Sequence, residues 1–299
     1  MNKPKIKVGF CVAYDWELLK NSIPRVYTAA DTICLSIDKN RTSWSGKKYD
    51  FDESAFQDFI TRIDIQQKIK IYEDNFSLPD LSSIENDNRQ RNMMADFLGK
   101  GGWHIQVDSD EYFLDFEGFV NYLKNHFPDP DTIKPINVCC NWVSLIKRTE
   151  NGFLYVNNSS SQLETMPFAT NFTVYKNARR TDSFNHISPF FVIHETWARG
   201  EEELENKLSS WGHDADFGNK ESYLNLWKAI DVYNYQYISN FHPLKSTVWQ
   251  KLGYCDGKNI EEFIVNLRTK KSLHLDTKSL FWINNRNWHR LKFLFNKNK

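Results

Sequence analysis

Four short apolar runs, each separated from the next by a segment that reads as helix or loop, limit what this chain can fold into. They are Ile6 to Ala13, Thr32 to Ile37, Gln66 to Tyr72 (the weakest) and Trp103 to Val107. The first is nearly continuous in apolar character, the pattern of a strand buried on both faces of a parallel sheet, and the last is read as the fourth strand. Helical stretches follow the first run (Trp16 to Val26) and precede the last (Glu85 to Leu98, with Gly99 as its C-cap). Strand–helix–strand repetition requires right-handed crossovers and places helices on both faces of the sheet.

Further on, residues 136–155 and 168–193 are strand-rich, and Asn157 to Ser161 is a loop by composition. A buried strand, Ile187 to Ile193, ends abruptly at His194-Glu195-Thr196. The remainder reads as helical. Glu201, Glu202 and Glu203 suit a helix N-terminus, Leu204, Leu208 and Trp211 form its apolar stripe, and Gly212 ends it. Two more helices are predicted over 221–233 and 260–267. The expected architecture is an α/β catalytic unit over 1–200, a Rossmann-like, mostly parallel mixed sheet flanked by helices, with a helical C-terminal extension over 201–299.

Composition narrows the function. Lys+Arg and Asp+Glu are both 38, which excludes a broadly basic nucleic-acid binder. No apolar run is long enough for a membrane span, and MNKPKIKVGF lacks the apolar stretch of a secretory signal. Five cysteines without a CxxC pair suggest neither zinc nor a disulfide framework. A cytoplasmic address is expected. The tail carries Lys271, Lys278, Arg286, Arg290, Lys292, Lys297 and Lys299 against Asp276 alone, interleaved with Phe281, Trp282, Trp288, Phe293 and Phe295. It is either a solvated helix end or a peripheral contact with an anionic membrane leaflet, which would put the protein at the inner face.

The chemistry concentrates at Asp108-Ser109-Asp110-Glu111, directly after the fourth run. Alternation along a strand points Asp108 and Asp110 the same way at the carboxyl edge of the sheet, where open α/β sheets bind ligands. Two carboxylates this close repel unless a cation or proton lies between them, and hard oxygen ligands select Mg²⁺ or Mn²⁺. An isolated motif of this kind is also consistent with an acidic turn capping the next helix. Three features add context. Arg89 and Arg91 on the preceding helix suit a diphosphate. Ala13-Tyr14-Asp15 and Asp38 end the first and second strands, where a ring and a carboxylate can hold a base and its ribose. His194 is delivered to an edge, where an imidazole can complete a metal shell with Asp110.

Taken in order, these residues resemble the bacterial family 2-like nucleotide-sugar glycosyltransferases of the GT-A fold. His194–Phe217 (HETWARGEEELENKLSSWGHDADF) is similar to a stretch that follows the catalytic core in some of them. Ser36 to Arg41, with Trp44-Ser45-Gly46, resembles their second-strand segment. The resemblance covers roughly residues 6–235. It implies sugar transfer from a nucleoside diphosphate, UDP favoured and GDP or another base possible, to a glycan or lipid-linked acceptor in polysaccharide biosynthesis. It also implies a metal held by Asp108, Asp110 and His194, and donor contacts from Ala13, Tyr14, Asp15, Asp38, Arg89, Arg91 and Asp108. The first-strand ending departs from the family's Tyr-Asn pair, and the usual Glu-Asp base has no clear match. Glu195, Asp214 and Asp216 are the unranked candidates for a base. A haloacid-type phosphatase fits poorly because Tyr112 stands where Thr or Val is expected, and a nucleotidyltransferase fits poorly because residues 8–22 hold only Gly9. A degenerate carbohydrate- or partner-binding module is the non-enzymatic alternative.

Overall fold

In the computed structural model the four apolar runs form the parallel half of a ten-stranded mixed sheet. The structure describes residues 3–158, 164–210, 219–245, 248–271, 273, 275 and 277–285. Strands β1 (Ile6–Val12), β2 (Thr32–Asp38), β3 (Ile69–Asp74) and β4 (Trp103–Asp108) are all parallel, in the order β4-β1-β2-β3. β1 sits between β4 and β2 and is covered on both faces: Ile6, Val8 and Phe10 are fully buried on one, and Gly9 lies under Met94 on the other. Gly9 lets the end of the Met94 side chain on the covering helix pack close, since a Cβ would lie 2.8 Å from it.

The helices between these strands are α1 (Leu19–Tyr27), α2 (Glu53–Ile63) and α3 (Ser83–Leu98). The predicted helix from Trp16 opens instead with a 3₁₀ turn, Trp16–Leu18. The sequence reading has no counterpart for α2, although Phe56, Phe59 and Ile60 make a buried stripe and the Asp52 side chain caps Ala55 N at 2.9 Å. At α3 the Glu85 carboxylate accepts from Ser82 N at 2.8 Å, and Gly99 at φ 76° ends the helix as expected.

Beyond β4 the sheet turns antiparallel. β5 (Glu111–Phe113) and α4 (Phe116–His126) lead into β6 (Ile136–Arg148), β7 (Gly152–Val156), β8 (Thr165–Thr170) and β9 (Phe184–His194). β8 pairs antiparallel with β4, and β6 pairs antiparallel with β8 and β7. β9 runs parallel to β6 and antiparallel to β5, which sets His194 opposite Glu111.

The segment after residue 200 is not helical throughout. Between α5 (Glu201–Ser210), α6 (Lys220–Ala229), α7 (Ile260–Lys270) and α8 (Thr277–Asn285) it supplies β10 (Leu252–Asp256). β10 extends the sheet antiparallel to β7. Its Cys255 packs with Phe153, Phe263 and Leu267 in one cluster, while Trp227, Phe241, Trp249 and Leu252 pack with Ile146 and Leu154 in another. Short strands such as this lack the length and alternation that make β1 legible. Trp211, Gly212 and the basic tail from Arg286 lie outside the described residues. Among the described residues no helix is long and apolar enough to cross a membrane.

Burial also sets a pH dependence. His104 on β4 is buried, and burial pushes its pKa down to about 4. The unfolded chain, with a histidine near ~6.5, then binds more protons between these values, so stability is lost as pH falls from ~6.5 toward 4. His104→Leu is expected to gain about 2 kcal/mol relative to the parent between pH 7 and pH 4.5. Urea unfolding midpoints at the two pH values measure this; equal differences at both would refute it.

Candidate functional site

The carboxyl ends of β1, β2 and β4 open into a cleft of ≈ 330 Å³. Ala13, Tyr14, Asp15, Asp38, Arg91, Asp108, Asp110 and His194 all line it, so most of the predicted site residues are brought together. A second hollow of ≈ 430 Å³, between Leu114, Phe190, Arg268 and Leu273, holds no comparable set of acids and bases.

Ring-bearing residues make one end of the cleft. Tyr14 and Tyr49 meet edge to face at 6.4 Å. Trp44, on the loop after β2, donates its indole N–H to Gln90 Oε1 at 2.6 Å and lies 5.6 Å from the Arg91 guanidinium. Asp38 places this loop. Its Oδ1 accepts from Asn40 N (2.9 Å) and Thr42 N (3.2 Å), and its Oδ2 from Phe76 N (2.9 Å) and Ser77 N (3.0 Å). The carboxylate expected to hold a ribose is thus committed to two backbone loops.

The acidic motif occupies the turn between β4 and β5, and each of its carboxylates is already paired. Asp108 Oδ1 accepts from Arg91 Nη2 at 2.9 Å and Oδ2 from Arg179 Nη2 at 2.7 Å. Burial works against its charge, but Arg179 and Arg91 more than compensate and hold its pKa down at about 2. Asp110 Oδ2 accepts from both Arg199 Nη2 and Lys207 Nζ, each at 2.7 Å. Lys207 leads in outweighing burial there, and the Asp110 carboxyl lies well below the usual range. Arg199 also bonds Asp15 Oδ2 at 3.0 Å. Glu111 is fully enclosed and accepts from both Arg179 terminal nitrogens at 2.8 Å and from Trp142 Nε1 at 2.9 Å.

Other placements depart from expectation. Arg89 turns from the cleft and reaches the Asn75 carbonyl at 3.4 Å, while Arg91, on the next face of α3, is buried against Asp87. Glu195 follows His194 on the opposite side of the chain. It accepts from the Tyr112 hydroxyl at 2.5 Å and from Arg148 at 3.2 Å and does not line the cleft. Strand alternation, which delivers His194 inward, accounts for this. Asp214 and Asp216 lie outside the described residues. His194 Nε2 is 3.8 Å from Asp110 Oδ1, its ring is 4.3 Å from that of Trp142, and burial lowers its pKa to about 4, leaving it neutral at pH 7.

A divalent cation needs carboxylate oxygens free of other cations, and here three of the four oxygens of Asp108 and Asp110 face arginine or lysine nitrogens within 2.9 Å. Among the described residues no group of three or more His, Cys, Asp or Glu side chains is arranged to hold a metal ion. The donor set present does not fit the expected Mg²⁺ or Mn²⁺.

The sequence reading missed Arg179, Arg199, Lys207 and Glu164. Glu164, just before β8, lines the cleft, accepts from Trp249 Nε1 at 2.9 Å and Ser144 Oγ at 3.3 Å, and has its pKa raised by burial. His242 Nε2 stands 4.0 Å away. Arg199 had a visible signal, being part of the HETWAR segment; Glu164 lies between the loop at 157–161 and the strand-rich stretch from 168, in residues given no reading.

No family model matches the chain, and no curated protein does. Among solved structures, it is similar in part to a 4-diphosphocytidyl-2C-methyl-D-erythritol synthase, at 8% identity and TM-score 0.34, over 58% of this chain and 76% of that one. A mannose-1-phosphate geranyltransferase from Thermus thermophilus aligns at 8% identity and TM-score 0.26, over 57% of this chain and 51% of that one. Likenesses this slight leave the site to be read from its own residues.

Proposed function

We propose that this chain is a transferase that moves a sugar from a nucleoside-diphosphate sugar, a UDP-sugar by preference, to the hydroxyl of a glycan or lipid-linked acceptor. One observation carries the reading. A single cleft at the carboxyl edge of a parallel sheet combines aromatic rings (Tyr14, Trp44, Tyr49), cations (Arg179, Arg180, Lys207) and a carboxylate, Glu164, with no Lys or Arg in hydrogen-bond contact among the described residues. Rings suit a nucleobase, and guanidinium and ammonium groups suit a diphosphate.

In the proposed reaction the acceptor oxygen bonds to the anomeric carbon while the bond from that carbon to the diphosphate oxygen breaks. The electron pair leaves on the diphosphate, whose growing charge the cleft cations offset. The acceptor proton passes to Glu164, which burial makes more basic than a surface glutamate. Such a single displacement inverts the anomeric configuration.

A panel of UDP, GDP, CDP, ADP and TDP tests the reading through thermal stabilisation and calorimetry. At least one, with UDP foremost, is expected to bind, and Trp44→Ala to weaken it about tenfold or more, since stacking on a base is worth about 1–3 kcal/mol. Absence of binding by every member, with no nucleotide sugar consumed, would leave a carbohydrate- or partner-binding module as the better description.

A further inference from the structure

We propose that the donor's diphosphate is held and neutralised by Lys207 and Arg179 in place of a divalent cation, with Arg199 behind them pairing Asp110 and Asp15, so that donor binding needs no metal; this rests on the donor reading above. The acidic motif then acts as a holder of cations. Asp110 fixes Lys207 and Arg199 through one oxygen, and Asp108 with Glu111 fixes Arg179.

Three observations converge. First, the pairing is many-sided: the cations reach the motif from the loop before β9, from the segment after it and from α5, so displacing them to admit an ion would leave several buried charges unpaired. Second, unused polar capacity around the motif includes donors suited to anionic oxygens. The Ser109 hydroxyl and Arg199 Nε are buried without partners, and so is His194 Nδ1, a donor in one neutral tautomer. Third, Lys207 and Arg179 border the cleft directly, beside Arg180, whose side chain has no ion-pair partner among the described residues. An ammonium and guanidinium groups can stand where a metal stands in other diphosphate sites, because both supply positive charge close to the leaving oxygens.

Calorimetric titration of the full chain with UDP, in EDTA and in Mn²⁺, provides the test, with electron paramagnetic resonance counting bound Mn²⁺. UDP is expected to bind with the same affinity within twofold in both buffers, with no stoichiometric Mn²⁺ taken up. Lys207→Met should weaken UDP at least tenfold in either buffer, and Lys207→Arg should recover most of the loss. UDP binding that requires Mn²⁺, or stoichiometric Mn²⁺ uptake with UDP, would overturn the inference while leaving the donor reading intact. Undiminished UDP affinity in folded Lys207→Met would also overturn it. The comparison of the two buffers uses the parent protein and does not depend on any variant folding. No nucleoside diphosphate binding in either buffer would overturn both readings.

Discussion

Glu164→Gln is expected to lower kcat for sugar transfer by about 10²–10⁴ while leaving UDP affinity within twofold, because general-base help of this kind is worth that much. The amide keeps the shape and an oxygen to accept from Trp249 Nε1 and Ser144 Oγ, so the fold around β8 has no reason to change. What it loses is the capacity to take a proton. A pH profile of kcat sharpens the test: the parent should lose activity on the acid side as Glu164, raised by burial above the ordinary glutamate range, becomes protonated. The glutamine variant should lack that limb. Parental kcat in the variant would move the base elsewhere, with Asp214 and Asp216 next in line.

Asp110→Ala is expected to cost about 3–5 kcal/mol of folding stability in addition to abolishing donor binding, because it leaves Arg199 and Lys207 enclosed with their shared counter-charge removed. Arg199 retains Asp15, so Lys207 is the more exposed to the loss. A metal ligand behaves in the opposite way: removing one of two carboxylates that repel each other relieves strain and leaves an empty protein as stable or more so. Chemical denaturation in EDTA therefore separates a cation holder from a metal ligand without any assay of turnover. Stability equal to the parent would be incompatible with the paired arrangement.

The parallel half of the fold was legible because its determinants are local. A strand buried on both faces must be continuously apolar, and α3 announces both its ends in Ser82, Glu85 and Gly99. The carboxyl-edge position of Asp108, Asp110 and His194 followed from the same logic. The partners of these residues did not, because a salt bridge between Asp110 and Lys207 joins positions 97 apart, and nothing local records it. Identical residue types support opposite chemistries at this point. Asp-Ser-Asp at a sheet edge attracts either a dissolved ion or the chain's own cations, and only the tertiary arrangement of Arg91, Arg179, Arg199 and Lys207 decides between them. Glu195 shows the finer limit: one residue's step past His194, the end of β9, takes a carboxylate from the cleft into a pairing with Tyr112. β10 was missed for a third reason, since five residues containing a glycine carry too little pattern to be told from a loop.

The ion-paired floor of the cleft also bears on how the chain matures. Its members enter in the order Asp15, Arg91, Asp108, Asp110, Glu111, Arg179, Arg199 and Lys207, so the acidic half is synthesised before most of the basic half. A nascent chain that has only reached β5 carries a patch of mutual repulsion at the top of its parallel strands, and closing it must wait until α5 has left the ribosome. Contacts of such long sequence separation form only after long loops have closed, so the paired floor of the pocket depends on the chain through α5.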